Sequence, residues 1–195
     1  MSIWTDLWNL FFPHSCLLCG RQLISGERVL CLKCLSRLPR TQFHLRKDNI
    51  VECNFWGKIP VERATSFLYY AKGGNVRQLL YELKYHGNQE VGEVMGRMMA
   101  SELMCSHFFD GIDLIVPVPL HQRKKRLRGY NQSECLARGV SVVTGIPMNT
   151  KVVIRSRYTD TQTHKGQYAR WEKRAKFVCL YFPRWLGRKA SIVGG

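Results

Sequence analysis

The chain has 195 residues, 45% of them hydrophobic, with 30 Lys and Arg against 14 Asp and Glu for a formal net charge of +16. That length holds one packed α/β domain and a small appendage, and excludes two full domains of ordinary size. No run of about 18 uncharged apolar residues is present, which excludes a transmembrane helix, and the charge favours an anionic partner such as nucleic acid, nucleotide or membrane surface without choosing among them.

In chain order, the opening MSIWTDLWNLFFP carries Asp6 and lacks the basic start and small-residue cleavage site of a secretion signal. Ile3, Trp4, Leu7, Trp8 and Phe11 share one helical face. They predict an amphipathic helix over 1–12 that docks on the main domain, with a partner or membrane-surface helix as the competing reading. Cys16, Cys19, Cys31 and Cys34 follow as CxxC, eleven residues, CxxC. Each pair can pinch one metal from a tight turn, and the two pairs complete a tetrahedron. Gly20 suits the first knuckle and Gly26 the turn between the pairs, because both places favour positive φ. Two disulfides are the competing account. With no secretion signal the compartment is expected to be cytoplasmic and reducing, which leaves thiolates available for zinc. Four thiolates leave no open coordination position, so this zinc would be structural and non-catalytic. Residues 13–38 are therefore assigned to a four-cysteine zinc module. Cys53, Cys105, Cys135 and Cys179 lack ligand spacing and are assigned no chemistry, and His14 and His44 are read as surface residues.

Residues 39–60 show no sustained period and read as a linker. From there, 61–195 is assigned to the main domain. Thr65–Tyr70 is β-prone, Ala71–Asn75 is a glycine turn, and Val76–Tyr85 predicts a helix with Leu79, Leu80 and Leu83 inward. Val91–Met104 continues as a helix with Val94, Met98 and Met99 on a packed face. Asp113–Leu120 is a short apolar run closed by prolines, as a buried parallel strand ends. Arg123, Lys124, Lys125, Arg126, Arg128 and Gly129 then form a basic glycine loop, and Gln132–Val143 is helical. Strand, basic loop and helix N-terminus make a place suited to phosphate or pyrophosphate, since unpaired N–H groups and a partial positive charge face the crevice beyond the strand. A solvated charge run is the bland alternative. Gly145–Pro147 ends the helix before a second apolar strand, Lys151–Ile154, completing one βαβ unit.

The string VPVPLH, the basic run and RGYNQSECLA resemble the ComF family of phosphoribosyltransferase-like proteins, as does YYAKGGNVRQLLYELKYHG. The resemblance implies a type I phosphoribosyltransferase-like parallel sheet behind a small N-terminal zinc module of four cysteines. It implies pyrophosphate binding by Arg123, Lys124, Arg126, Arg128, Gly129, Asn131 and Gln132. It also makes Lys84, Tyr85 and His86 candidates to face the active site, although a Lys-Tyr-His triplet equally caps a helix C-terminus. In RSRYTDTQTHKGQYARWEKR, Arg155, Arg157, Thr161 and Gln162 match the family's arginine-rich strand end and Thr-Gln pair, where related enzymes carry a mobile hood. The family's asparagine is missing around Trp171, Glu172 and Lys173, and no catalytic residue is assigned.

The family pattern continues with a strand of the type GKHLLLVDD and a Thr, Gly-rich loop, whose acids hold the ribose hydroxyls and whose N–H groups cradle the 5-phosphate. Gly187–Gly195 reads GRKASIVGG instead. One permitted coding of these residues, shifted by one base at or near Lys189, translates as Lys-His-Leu-Leu-Leu-Val-Asp. The expectation is therefore a C-terminally truncated, inactive chain lacking its ribose-phosphate loop, with an unpaired sheet edge and poor stability in isolation. Two functions follow from the resemblance. One is a phosphoribosyltransferase-like protein that binds phosphoribosyl pyrophosphate in complete form, with Mg in the complete enzyme. The other is a zinc-containing, non-catalytic component of DNA uptake in natural competence that meets single-stranded DNA and a competence helicase.

Overall fold

Backbone and polar side-chain hydrogen bonds, more than hydrophobic periodicity, organise the first part of the chain. The computed structural model describes residues 14–155 and, as backbone, two short strands further on, Val178–Leu180 and Ser191–Val193. The chain divides into two compact units, Met1–Val94 and Met95–Gly195.

In the first unit an isolated antiparallel bridge joins Ser15 to Gln22. Helix α1 (Leu32–Ser36) follows the second cysteine pair's first member, with Cys31 as N-cap. Residues 39–60, which the sequence marks as a linker for want of a period, are held by specific bonds. Thr41 N–H donates to Phe67 O at 3.1 Å and Tyr69 N–H to Pro39 O at 2.8 Å, around an antiparallel bridge between Arg40 and Leu68. The β-prone Thr65–Tyr70 stretch thus finds its partner in the supposed linker. A 3-10 turn, Phe43–Leu45, leads to α2 (Ile50–Cys53). Asn49 caps α2: its Oδ1 accepts from Val51 and Glu52 N–H, while its Nδ2 donates to Ala64 O at 2.9 Å. Asn49 is only 6% exposed, so these bonds satisfy a buried amide that would otherwise be costly. Helix α3 (Asn75–Tyr85) buries Val76, Leu79 and Leu83, the i, i+3, i+7 stripe of an amphipathic helix. Gln78 on its other side donates to Leu17 O of the cysteine module.

Helix α4 (Gln89–Met104) and strand β1 (Ile115–Pro117) supply much of the second core. Beyond β1 the chain forms α5 (Gln122–Arg128), α6 (Gln132–Thr144) and β2 (Val153–Arg155), and the two later strands are β3 (Val178–Leu180) and β4 (Ser191–Val193). Successive residues of a strand point to opposite faces. Ile115 accordingly packs with Ala100, Ala137 and Val140, while Leu114 and Val116 pack with Val152 and Val153. Each fully buried Val, Leu or Ile contributes about 1.5–3 kcal/mol. Gly96 permits the close approach of α4 to α6: a Cβ there would overlap Leu136 O and lie 3.2 Å from Gly139 Cα.

β1 pairs in parallel with β4, Val116 lying opposite Ile192. On its other side Ile115 N–H donates to Pro147 O at 2.9 Å and Asn149 N–H to Ile115 O at 3.0 Å. Among the described residues β1 is therefore hydrogen-bonded on both sides. β2 pairs antiparallel with β3 and is not a hydrogen-bonded neighbour of β1 among the described residues. The two apolar segments of the predicted βαβ unit meet through side chains, in the Leu114, Val116, Val152 and Val153 cluster. No described helix is long and apolar enough to cross a membrane. The predicted helix over 1–12 lies outside the described residues.

Candidate functional site

The four thiols of the first unit converge. The Sγ atoms of Cys16, Cys19, Cys31 and Cys34 all lie within 4.8 Å of one another, and Cys19 and Cys31 are 3.7 Å apart. Tetrahedral zinc with Zn–S bonds of about 2.3 Å places its sulfurs about 3.8 Å apart. The donor set and its spacing fit such an ion, and these four cysteines could hold a metal such as zinc. The first knuckle closes with Gly20 N–H donating to Cys16 O at 2.9 Å, Gly20 having φ +70°. The second pair enters through Cys31, whose N–H donates to Cys16 Sγ at 3.4 Å, and through the start of α1. Cys16 and Cys31 are buried, Cys34 is half-buried and Cys19 is exposed. His14 is exposed and His44 half-buried, and neither joins the cluster.

The local field divides the thiols. Burial opposes ionisation of Cys16, but N–H donors from Cys31, Cys19 and Leu18 outweigh it and lower its pKa to about 6. Cys34, hydrogen-bonded first to Cys19 and then partly desolvated, is pushed up to about 12. A divalent metal would supply the charge that lets all four thiols ionise.

Glu27 was not singled out by spacing, yet it joins the two halves of the module. Its Oε1 accepts from Leu32 N–H at 2.7 Å, at the N-terminus of α1, and its Oε2 from Ile24 N–H at 3.1 Å. Arg21 adds an ion pair at 3.2 Å. These donors, Leu32 foremost, hold the carboxyl below the usual carboxylate range. The available signal is that Glu27 is the sole acid between the two CxxC pairs.

The basic segment of the second unit is built differently. The run expected as a loop is the seven-residue helix α5. His121 Nδ1 accepts from Arg123 N–H at 3.2 Å as the N-cap, and Gly129 at φ +80° ends the helix by donating its N–H to Lys125 O at 2.8 Å. Lys and Arg are good helix formers, and capping at both ends offsets their mutual repulsion. Arg123 and Arg126 are exposed, Lys124 and Arg128 half-buried, and Lys125 binds Glu134 at 3.1 Å.

Asn131, grouped with the anion ligands by the resemblance, has its amide engaged within the protein. Oδ1 caps α6 by accepting from Ser133 N–H at 3.1 Å, and Nδ2 donates to Val118 O at 3.0 Å beyond β1. Next to it, Gln132 Nε2 is buried and has no hydrogen-bond partner among the described residues. Both Asn49 and Asn131 belong to Asn-x-x-Glu patterns, the signal of a capped helix start.

Of the remaining candidates, Lys84 and Tyr85 lie exposed in the last turn of α3, and His86 at its C-cap binds Glu82 at 2.9 Å. Arg155 closes β2. Arg157 and Gln162, with Thr161, lie outside the described residues.

No family model and no solved structure matches the chain. It is similar to the DNA utilization protein YhgH of Escherichia coli K12, 29% identical over 150 residues that make up 75% of this chain and 62% of the relative. The same protein of Shigella flexneri is 28% identical over 150 residues, with the same coverage of 75% and 62%. That of Salmonella typhi is 31% identical over 99 residues, 49% of this chain and 43% of the relative. The chain thus spans less than two thirds of the length of the curated relatives it matches, and its established likeness is to DNA utilization proteins.

Proposed function

We propose that this chain is a DNA-handling protein of the ComF type, in which a structural zinc module accompanies a basic, phosphate-seeking domain. The observation that carries this reading is α5, with five cations and no acid in seven residues, in a chain whose relatives are DNA utilization proteins. Cations on a short exposed helix bind a phosphate backbone by releasing its counterions, which requires no particular base sequence. The uneven distribution of charge supports the same reading: Met95–Gly195 carries 18 Lys and Arg against 6 Asp and Glu, and Met1–Val94 carries 12 against 8. The zinc folds its module and leaves the binding chemistry to other residues. The protein works in the cytoplasm, where its thiols stay reduced, with single-stranded DNA and a competence helicase as partners.

A second reading is favoured by one specific atom, Gln132 Nε2, the buried donor at the start of α6. On a type I phosphoribosyltransferase-like fold, that donor with Arg128 and Gly129 would meet a pyrophosphate or phosphoribosyl pyrophosphate, accompanied by Mg in the complete enzyme.

Binding of labelled oligonucleotide by the zinc-loaded chain, measured as a function of salt, separates the two. The nucleic-acid reading expects steep loss of affinity with salt, and a slope reduced by about 1 for each phosphate-contacting cation removed, as in Arg123→Ala or Arg126→Ala. Salt-independent or undetectable binding, together with tight binding of phosphoribosyl pyrophosphate, would overturn it in favour of the second.

A further inference from the structure

The buried stripe of α3 is complete with Val76, Leu79 and Leu83, yet the opposite face of the same helix carries large rings in solvent. Arg77, Tyr81, Lys84 and Tyr85 are spaced i, i+4, i+7 and i+8, which places them on one face. All four are exposed; Tyr81 is 50% and Tyr85 61% accessible. The rings are ordered against one another. Tyr81 and Tyr85 stand with centroids 4.9 Å apart at 44°. His86 meets Tyr81 edge-on, with centroids 5.1 Å apart at 81°, and its own ring is fixed by the Nδ1–Glu82 Oε1 contact of 2.9 Å. This chain of contacts, from Glu82 through His86 and Tyr81 to Tyr85, restrains aromatic surface that the core does not use. Restrained rings lose less freedom when a ligand stacks on them.

We propose that this face of α3 is a stacking platform for the bases of single-stranded DNA, with Arg77 and Lys84 drawing the sugar-phosphate strand along it. The proposal rests on the DNA-handling function above and adds the surface that reads the strand as single. A base in a duplex offers its edges, whereas an unpaired base offers its π-face, which tyrosine accepts whatever the sequence. Cations interleaved with aromatics supply the matching charge, and Glu82, the acid between them, is taken up by His86. Helix α5 engages any phosphate backbone; the α3 face discriminates strandedness.

The test uses the full zinc-loaded chain and a fluorescein-labelled oligo-dT, followed by anisotropy, with a duplex of equal charge in parallel. Tyr81→Ala and Tyr85→Ala are each expected to weaken oligo-dT binding on the order of tenfold, with an unchanged salt slope and little effect on the duplex. Tyr81→Phe and Tyr85→Phe retain the ring and are expected to bind as the unsubstituted chain does. Because alanine variants can lose structure, photocrosslinking of the unsubstituted chain to iododeoxyuridine oligonucleotide supplies a second readout, with adducts expected on Tyr81 or Tyr85. Alanine variants that bind oligo-dT normally, crosslinks confined to other residues, or tight binding of oligo-U with none of oligo-dT would each overturn the proposal while leaving salt-dependent nucleic-acid binding intact. An unsubstituted chain that ignores every nucleic acid would instead overturn the function on which it rests.

Discussion

The cysteine module and the basic segment around α5 are both short, and they acquire their shape by different means. In the module the conspicuous residues are also the organising ones: four thiols within 4.8 Å set the turn geometry, and Glu27 adds the tie between the halves. In the basic segment the conspicuous residues organise little. Five cations give α5 its charge, while its ends are set by His121 and Gly129, and its junction with α6 and the end of β1 by Asn131. The cations give the segment its charge, whereas the capping groups decide its shape.

The comparison breaks most visibly on removal of the metal. Structural zinc contributes about 10–16 kcal/mol of apparent binding free energy in small modules. Cys31→Ser is therefore expected to reduce retained zinc from one ion per chain to nearly none, as read by atomic emission. Hydrogen exchange should show residues 14–38 losing protection while α6 keeps it; equal loss in both would show that the module's metal also organises the second unit.

Packing in the second unit is tested by Gly96→Val. Its side chain must displace α4 from the Leu136 carbonyl, at a cost of about 3 kcal/mol, in the upper range for overpacking. Thermal unfolding should move down by several degrees with zinc content unchanged. A smaller loss, about 1–2 kcal/mol, is expected for Asn131→Ala, which removes the α6 cap and leaves Val118 O without this donor. If Asn131 were instead an anion ligand, the variant would keep its stability and lose affinity for phosphate ligands.

The finest distinction concerns Glu27. Its folded pKa is lowered, so its contribution is fully present above the ordinary carboxylate range and is lost as pH falls through the folded value. The melting difference between the native chain and Glu27→Gln should be largest near pH 7 and shrink below about pH 4. A difference that is constant with pH would mean the carboxylate charge contributes nothing to joining the knuckles.

Much of the site chemistry is legible in the sequence because it depends on local spacing. The CxxC pairs, the inward Leu79 and Leu83, the apolar run around Leu114–Val116 and the position of α6 each follow from local spacing, whereas Leu80, expected inward, is only half-buried and Val76 takes its place in the stripe. The stretch 39–60 was illegible for the converse reason: its partners, Ala64 and Phe67 through Tyr69, lie many residues away, and its bonds run mainly through backbone groups that every sequence possesses. The exposed rings of α3 were hidden likewise, since a tyrosine at helical spacing reads the same whether it packs or faces solvent.

By itself the sequence picked out the four thiols that could bind a metal, the basic charge, and the periodic helices, since each is a property of residues close together in the chain. Only tertiary structure decided that β1 is flanked by β4 and by Pro147–Asn149, that Asn131 ties the start of α6 to Val118, and that α4 and α6 meet at Gly96. The physical reason is that these features depend on which distant groups complete a hydrogen bond or fill a contact.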